Sequence, residues 1–137
     1  MALRVDLPNL IDHQEGIVIA AARANGTVNG TGVDKREYRG RGILLIKSGA
    51  GTGTTPSLTI SVQDSTDNST FAAATAASVG TITAITTVAS VQVVALNLDE
   101  MDRYIRAVGT TTGSAGGGHV YTVSFLLPAG PSTPSPS

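Results

Sequence analysis

The sequence contains no cysteine and no tryptophan, and only 4% of its 137 residues are aromatic. The absence of cysteine excludes disulfides, zinc–thiolate centres and thiol nucleophiles. With so few large rings, the core has to be built from Val, Ile, Leu and Ala. A carbohydrate-binding module that relies on exposed aromatic rings would be poorly supplied by this chain.

Charge is also scarce, with nine Lys and Arg against ten Asp and Glu and a formal net charge of −1. Nucleic-acid binding depends on clustered basic residues. The basic cluster of this chain is broken by Asp34 and Glu37, and its members are Lys35, Arg36, Arg39 and Arg41. We therefore expect no nucleic-acid partner.

Long apolar runs are missing as well. The longest, Ile17–Ala22 and Ile43–Ile46, fall far below the roughly 20 residues that span a bilayer. Asp6, Asp12 and Glu15 interrupt the N-terminal stretch where a signal peptide needs continuous apolar residues. We expect a protein that is made and kept soluble, with no membrane partner.

The chain does contain short alternating segments separated by turn-forming residues. The clearest is Ser57–Phe71, in which Leu58, Ile60 and Val62 alternate with polar residues. This period of two predicts a half-buried strand. The Asp-, Ser- and Asn-rich residues that follow favour a turn, which Phe71 would close as an apolar anchor.

Six more segments have strand character and are separated by stretches rich in Gly, Asn and Thr. The predicted strands are Ile17–Ala24, Arg41–Ser48, Ile82–Val88, Val91–Leu98, Arg103–Gly109 and His119–Leu127. No segment supplies a crossover helix, so a parallel βαβ fold is disfavoured. The pattern predicts an all-β fold, a jelly-roll-like antiparallel β-sandwich of about seven to eight strands.

The length fits one domain with two extensions. We predict an extended N-terminal arm over residues 1–15, the β-sandwich over 16–127 and a Pro/Ser-rich tail over 128–137. The arm carries the apolar residues Leu3, Val5, Leu7, Leu10 and Ile11. Such an arm needs a surface to lie on, either on its own domain or on a neighbouring subunit.

Candidate chemical sites are weak. Asp64, Asp67 and Asn68 could offer oxygen ligands to a cation, but their spacing does not match an EF-hand loop and we interpret them as turn-forming. A second acidic cluster, 99–102, lies on one turn, whereas paired catalytic carboxylates face each other across a cleft. The two histidines, His13 and His119, are too few for a zinc site on their own. We predict no catalytic residue, no metal site, no cofactor and no enzyme activity.

The strand Gly42–Ser48, the unit Ser57–Phe71, and the pair Val91–Leu98 and Arg103–Gly109 together resemble the capsid cement, or head-decoration, proteins of tailed bacteriophages. The resemblance covers residues 16–127 and rests on strand-plus-Asx-turn units and on an acidic turn followed by Arg-Tyr-Ile-Arg.

The resemblance implies a virion structural protein that is made in the host cytoplasm and added to the outside of the phage head. Its partners would be the major capsid protein and further copies of itself, as a homodimer or homotrimer. The contact residues we predict are Leu3, Val5, Leu7, Leu10, Ile11, Arg36, Arg39 and Arg41. Alternatives are a tail or head–tail connector protein and, in another class, a carbohydrate- or receptor-binding β-sandwich module.

Overall fold

The structure is a computed structural model and describes residues 11–19, 25–35, 38–75, 78–113 and 117–128. This part of the chain forms nine strands and one short 3-10 helix, Leu98–Glu100. The strands are β1 (Ile11–Ile19), β2 (Gly26–Asn29), β3 (Val33–Asp34), β4 (Arg41–Ser48), β5 (Ser57–Ser65), β6 (Ala72–Ala73), β7 (Ser90–Asn97), β8 (Tyr104–Thr112) and β9 (Tyr121–Pro128).

The strands form two antiparallel sheets. The first sheet has the order β1-β9-β4-β7, and the second has the order β2-β8-β5-β6 with β3 also paired to β8. The all-β, jelly-roll-like antiparallel sandwich that the sequence predicts is thereby confirmed.

The core lies between the two sheets and is mostly aliphatic. On β9 the aromatic face points inward, with Tyr121 and Phe125 at most 2% exposed. On β5 the alternation places Leu58, Ile60 and Val62 inside, as predicted from the sequence. Burying each such side chain contributes about 1.5–3 kcal/mol, so this alternation makes a substantial contribution to the stability of the sandwich.

One predicted strand, Ile82–Val88, is wrong. The segment 78–85 instead crosses from the edge of the first sheet to the edge of the second. Gly80 donates its backbone N–H to Ala95 of β7 at 2.9 Å, and Ile85 exchanges two backbone hydrogen bonds with Leu58 of β5 at 2.8 and 2.9 Å. Because the segment runs between sheets, it aligns with β5 only at the isolated bridge of Leu58 and Ile85.

The first strand begins earlier than predicted, at Ile11. Its pairing with β9 runs from Ile11 opposite Pro128 to Glu15 opposite Ser124, and resumes after a bulge with Ile17. The bulge reverses the alternation: Glu15 is exposed, whereas Ile17 is buried. A period of two therefore cannot be followed across Gly16, and residues 11–15 of the predicted arm and Pro128 of the predicted tail lie in the sheet.

A second difference concerns the stretch between the predicted strands Ile17–Ala24 and Arg41–Ser48, in which Gly26–Asn29 form strand β2. Val33–Asp34, in the same stretch, also pair as β3. Of the predicted contact residues, Leu3, Val5, Leu7, Leu10 and Arg36 lie outside the described residues.

Candidate interaction surface

The outer faces of the two sheets differ in chemistry. The second sheet presents a polar face, on which Thr59 and Thr27 flank Thr110 across neighbouring strands. Arg106 lies further along this face, where its guanidinium donates to the Gln63 side chain at 2.7 and 2.9 Å. Phe71, predicted as the anchor of the turn, stacks on that guanidinium at 4.1 Å. This face is predominantly polar and is therefore suited to contact with water.

The first sheet carries exposed apolar side chains on its outer face, along β4 and β7. Val91 and Val93 are 65% and 67% exposed, and Ile43 is 38% exposed. The strand register places Leu45 opposite Val93 on one side and opposite Ser124 on the other. We call the following six outward-facing residues the apolar face: Ile43, Leu45, Val91, Val93, Ala95 and Leu126.

The other half of this outer surface, formed by β1 and β9, is more polar. His13 and Glu15 are exposed on β1. On the neighbouring strand β9, Thr122 and Ser124 occupy the outward-facing positions. Val18 is an apolar exception at 55% exposure. The apolar residues are therefore concentrated toward the β7 edge, and a contiguous apolar surface of this kind is typical of an assembly contact.

Charged residues flank the apolar face along β4. Arg41, Ile43, Leu45 and Lys47 alternate with buried residues and therefore share the outer face. Arg41 lies opposite Asn97 at one end, and Lys47 lies opposite Val91 near the other. Of the predicted contact residues, Arg41 is thus brought to the rim of the apolar face.

Arg39 and the start of β1 lie at the same end of the first sheet. Arg39 is exposed just before Gly40, whose positive φ of 78° redirects the chain into β4. Gly40 donates its N–H to Asp99 at 3.1 Å and accepts from the N–H of Leu98 at 2.8 Å. The acidic turn after β7 therefore positions Arg39 and Arg41. The pattern of charges in the sequence did not predict this role.

The apolar face was not predicted from the sequence. The sequence does contain a pattern that indicates it, because the runs Ile43–Ile46 and Val93–Leu96 are apolar on both faces of their strands. In a two-layer sandwich only one face of a strand can meet the core. Four consecutive apolar residues on such a strand therefore predict an outer face that needs a partner.

The turn after β5 is built by Asp67 and Ser65. The Asp67 carboxylate accepts hydrogen bonds from the Ser65 hydroxyl and from the N–H groups of Ser69 and Thr70, each at 2.9 Å. The backbone donors of Thr70 and Ser69, with the Ser65 hydroxyl, lower the pKa of Asp67. Asn68 adopts a φ of 60°, which asparagine tolerates. The turn-forming interpretation of Asp67 and Asn68 is confirmed.

The third residue of that cluster has a different task. Asp64 accepts the N–H of Asp102 at 3.0 Å, which ties β5 to the turn before β8. Within the described ranges, no group of three or more His, Asp or Glu side chains is placed to hold a metal ion.

The two histidines lie in different parts of the fold. His13 is exposed on β1, whereas His119 is 1% exposed and its Nε2 lies 3.0 Å from the Thr86 carbonyl. That carbonyl also accepts the N–H of Gly51 at 2.9 Å. His119 therefore fastens three connecting segments together at one end of the sandwich. No helix among the residues that can be described is long and apolar enough to cross a membrane.

Comparison with known proteins shows similarity at the level of fold. No protein-family model and no curated protein matches the sequence. Among solved structures, the PBSX exported protein XepA is 12% identical with a TM-score of 0.56, over 100% of this chain and 43% of that chain. The structure of infectious bursal disease virus, Gx strain, is 11% identical with a TM-score of 0.48, over 90% and 34%. This chain therefore spans less than half of either, and at these identities the likeness to XepA shows a shared sandwich fold.

Proposed function

We propose that this protein is a virion structural protein, a capsid cement protein that binds the outer surface of a phage head and stabilises contacts between major capsid protein subunits. The observation that carries the proposal is the two-sided sandwich, with one polar outer face suited to water and one apolar outer face suited to assembly. The sandwich fold shared with the PBSX exported protein XepA is compatible with this proposal.

The proposed role is binding without catalysis or cofactor. A protein that binds the assembled head but not its dissociated subunits shifts the equilibrium toward the assembled head. Because the head repeats each binding site by symmetry, modest contacts per copy add up over the whole shell. A thin aliphatic β-sandwich with many small polar loops suffices for this task.

Arg39 and Arg41 are the residues we assign to the head. They lie at one end of the first sheet, and both are exposed. A guanidinium can pair with a carboxylate through two parallel hydrogen bonds. We therefore propose carboxylates on the major capsid protein as the partners of these two side chains.

The proposal is tested by adding purified protein to heads that lack it. We expect the wild-type protein to cosediment with the heads and to raise the temperature at which they release DNA. Arg41→Glu should reduce occupancy, whereas Thr59→Glu on the polar face should not. Both side chains are exposed, so neither change should disturb the fold.

The proposed function is overturned if heads lacking the protein are as heat-resistant as complete heads. It is also overturned if the protein does not bind the heads at saturating concentration. Occupancy limited to one ring of copies at a vertex would instead support the head–tail connector.

A further inference from the structure

The apolar face lacks a partner in the part of the chain that the structure describes. It spans about 10 Å across the strands and about 13 Å along them, given a strand spacing near 4.8 Å and a rise near 3.3 Å per residue. Val91 and Val93 lie on β7, at the edge of the first sheet, and both are more than half exposed. Its footprint suits one extended chain segment laid over the sheet.

The same dimensions argue against simple face-to-face dimerisation. A footprint of about 130 Å² is well below the roughly 800 Å² that each partner buries in a stable complex. Two copies pressed together through this face alone would also bring Arg41 and Lys47 of both chains to the same boundary. A narrower apolar partner with fewer charges at its contact face is the better fit.

The N-terminal segment 1–10 has the required pattern. Leu3, Val5 and Leu7 alternate with Arg4 and Asp6, so an extended conformation puts three apolar side chains on one side and two charges on the other. Its full extent is about 33 Å, which exceeds the length of the apolar face. We propose that residues 1–10 of a second copy of this chain lie along β4 and β7 and cover the apolar face.

Placement on the second copy follows from where the segment enters the fold. The segment joins the sheet at Ile11 on β1, and β1 and β7 are opposite edges of the first sheet. To reach β4 of its own sheet, it would have to turn back at the end where Ile11 pairs with Pro128 and then cross about 10 Å over β1 and β9, and the crossing alone takes about three extended residues beyond the turn. Leu7 would then lie over the polar half that carries Glu15, whereas in a partner all three apolar residues can meet the apolar face.

This contact rests on the assembly role proposed above and gives it a defined oligomer interface. Two copies can exchange their segments about a two-fold axis, so that each apolar face is covered once. Higher cyclic arrangements use the same contact head to tail. We expect the copies to dissociate at low protein concentration in solution and to stay associated at the high local concentration on a head surface.

The absence of cysteine from the sequence allows a clean crosslinking test. Val5→Cys is made in one chain and Val93→Cys in a second chain that carries a size tag, and the two are mixed and oxidised. We expect a mixed disulfide of tagged and untagged chains on a non-reducing gel. The matched control pairs Val5→Cys with Thr59→Cys on the polar face and should give at most a trace of that product.

Two outcomes overturn the proposal. One is equal mixed-disulfide yield for the Val93 and Thr59 pairs. The other is an intrachain disulfide, without the mixed product, when Val5→Cys and Val93→Cys are placed in the same chain. That second result would show that each chain covers its own face.

A second measurement requires no crosslinking. In sedimentation of the full-length protein, Val5→Glu should weaken self-association by roughly tenfold or more, whereas Arg4→Glu, on the opposite side of the extended segment, should leave it nearly unchanged. Unchanged association in Val5→Glu would overturn the proposal. A protein that forms the mixed disulfide but does not bind heads would refute the proposed function and leave this contact standing.

Discussion

Ile85 is the residue through which the connecting segment 78–85 is fastened to the second sheet. It is 2% exposed and exchanges two backbone hydrogen bonds with Leu58. We predict that Ile85→Ala destabilises the fold substantially, although the residue lies in no regular strand.

The expected magnitude follows from the atoms removed. Isoleucine to alanine deletes the equivalent of three methylene groups, and each contributes about 0.8 kcal/mol when buried. The transfer term is thus about 2.4 kcal/mol, and a residual cavity raises the total toward 3–4 kcal/mol, within the range of about 2–5 kcal/mol for such core truncations. That loss is a large fraction of the 5–15 kcal/mol that a domain of this size has.

The assay is urea unfolding followed by circular dichroism, with Val88→Ala as the matched control. Val88 is three residues away and 73% exposed, so its truncation should change the free energy of unfolding by less than about 0.5 kcal/mol. If Ile85→Ala and Val88→Ala unfold at the same urea concentration, then the segment does not fasten the two sheets and the reasoning fails. If the free energy of unfolding of Ile85→Ala falls less steeply with urea concentration than that of the wild type, the segment is released before global unfolding.

Three further predictions concern single sites. Gly109→Ala should destabilise by about 1–3 kcal/mol in urea unfolding, because the added methyl carbon would overlap the hydroxyl of the buried Tyr121 side chain. Asp67→Asn should flatten the acid limb of the stability curve: the folded state lowers the pKa of Asp67, so its stabilisation is present above about pH 4 and is lost as the pH falls below that value. Arg103→Ala should cause a small loss of thermal stability that vanishes in about 1 M salt, because the 2.9 Å pair with Asp34 is exposed and screened.

The first two of these predictions have a control variant in the same chain, and the third is tested by its dependence on salt. Gly49→Ala should be tolerated, since the nearest atom to its added carbon is 3.8 Å away; equal losses at the two glycines would refute the steric argument. Thr66→Ala, at an exposed position of the same turn that carries no ionisable group, should leave the acid limb as in the wild type, and an acid limb unchanged in Asp67→Asn would refute the role of the turn. A loss in Arg103→Ala that persists in high salt would point to the stacking of Arg103 on Tyr104 at 4.9 Å.

The sequence predicts the strands whose inner faces are strictly alternating. Leu58, Ile60 and Val62 on β5 and Phe125 on β9 fall inside as expected, because one register buries them all and a shift by one residue would expose them all. The prediction fails where a period of two is interrupted. The bulge at Gly16 hides the start of β1, and Ile85 meets β5 as a single bridge. Both features depend on pairing with strands that are distant in the sequence, so a pattern within a short segment cannot predict them.

The apolar face could not be predicted from alternation. On β4 the run Ile43–Ile46 is apolar at every position, so alternation alone cannot say which pair faces the core. The register with β9 decides it: Leu44 and Ile46 are fully buried, and Ile43 lies opposite Leu126 on the outside. A soluble monomer would gain from a polar residue at such a position, because exposed apolar surface favours association. The outer positions of β4 and β7 are apolar, whereas those of β5 and β8 carry mainly hydroxyl and amide side chains. We therefore assign the assembly contact to the outer face of the first sheet and expect the outer face of the second sheet to contact solvent.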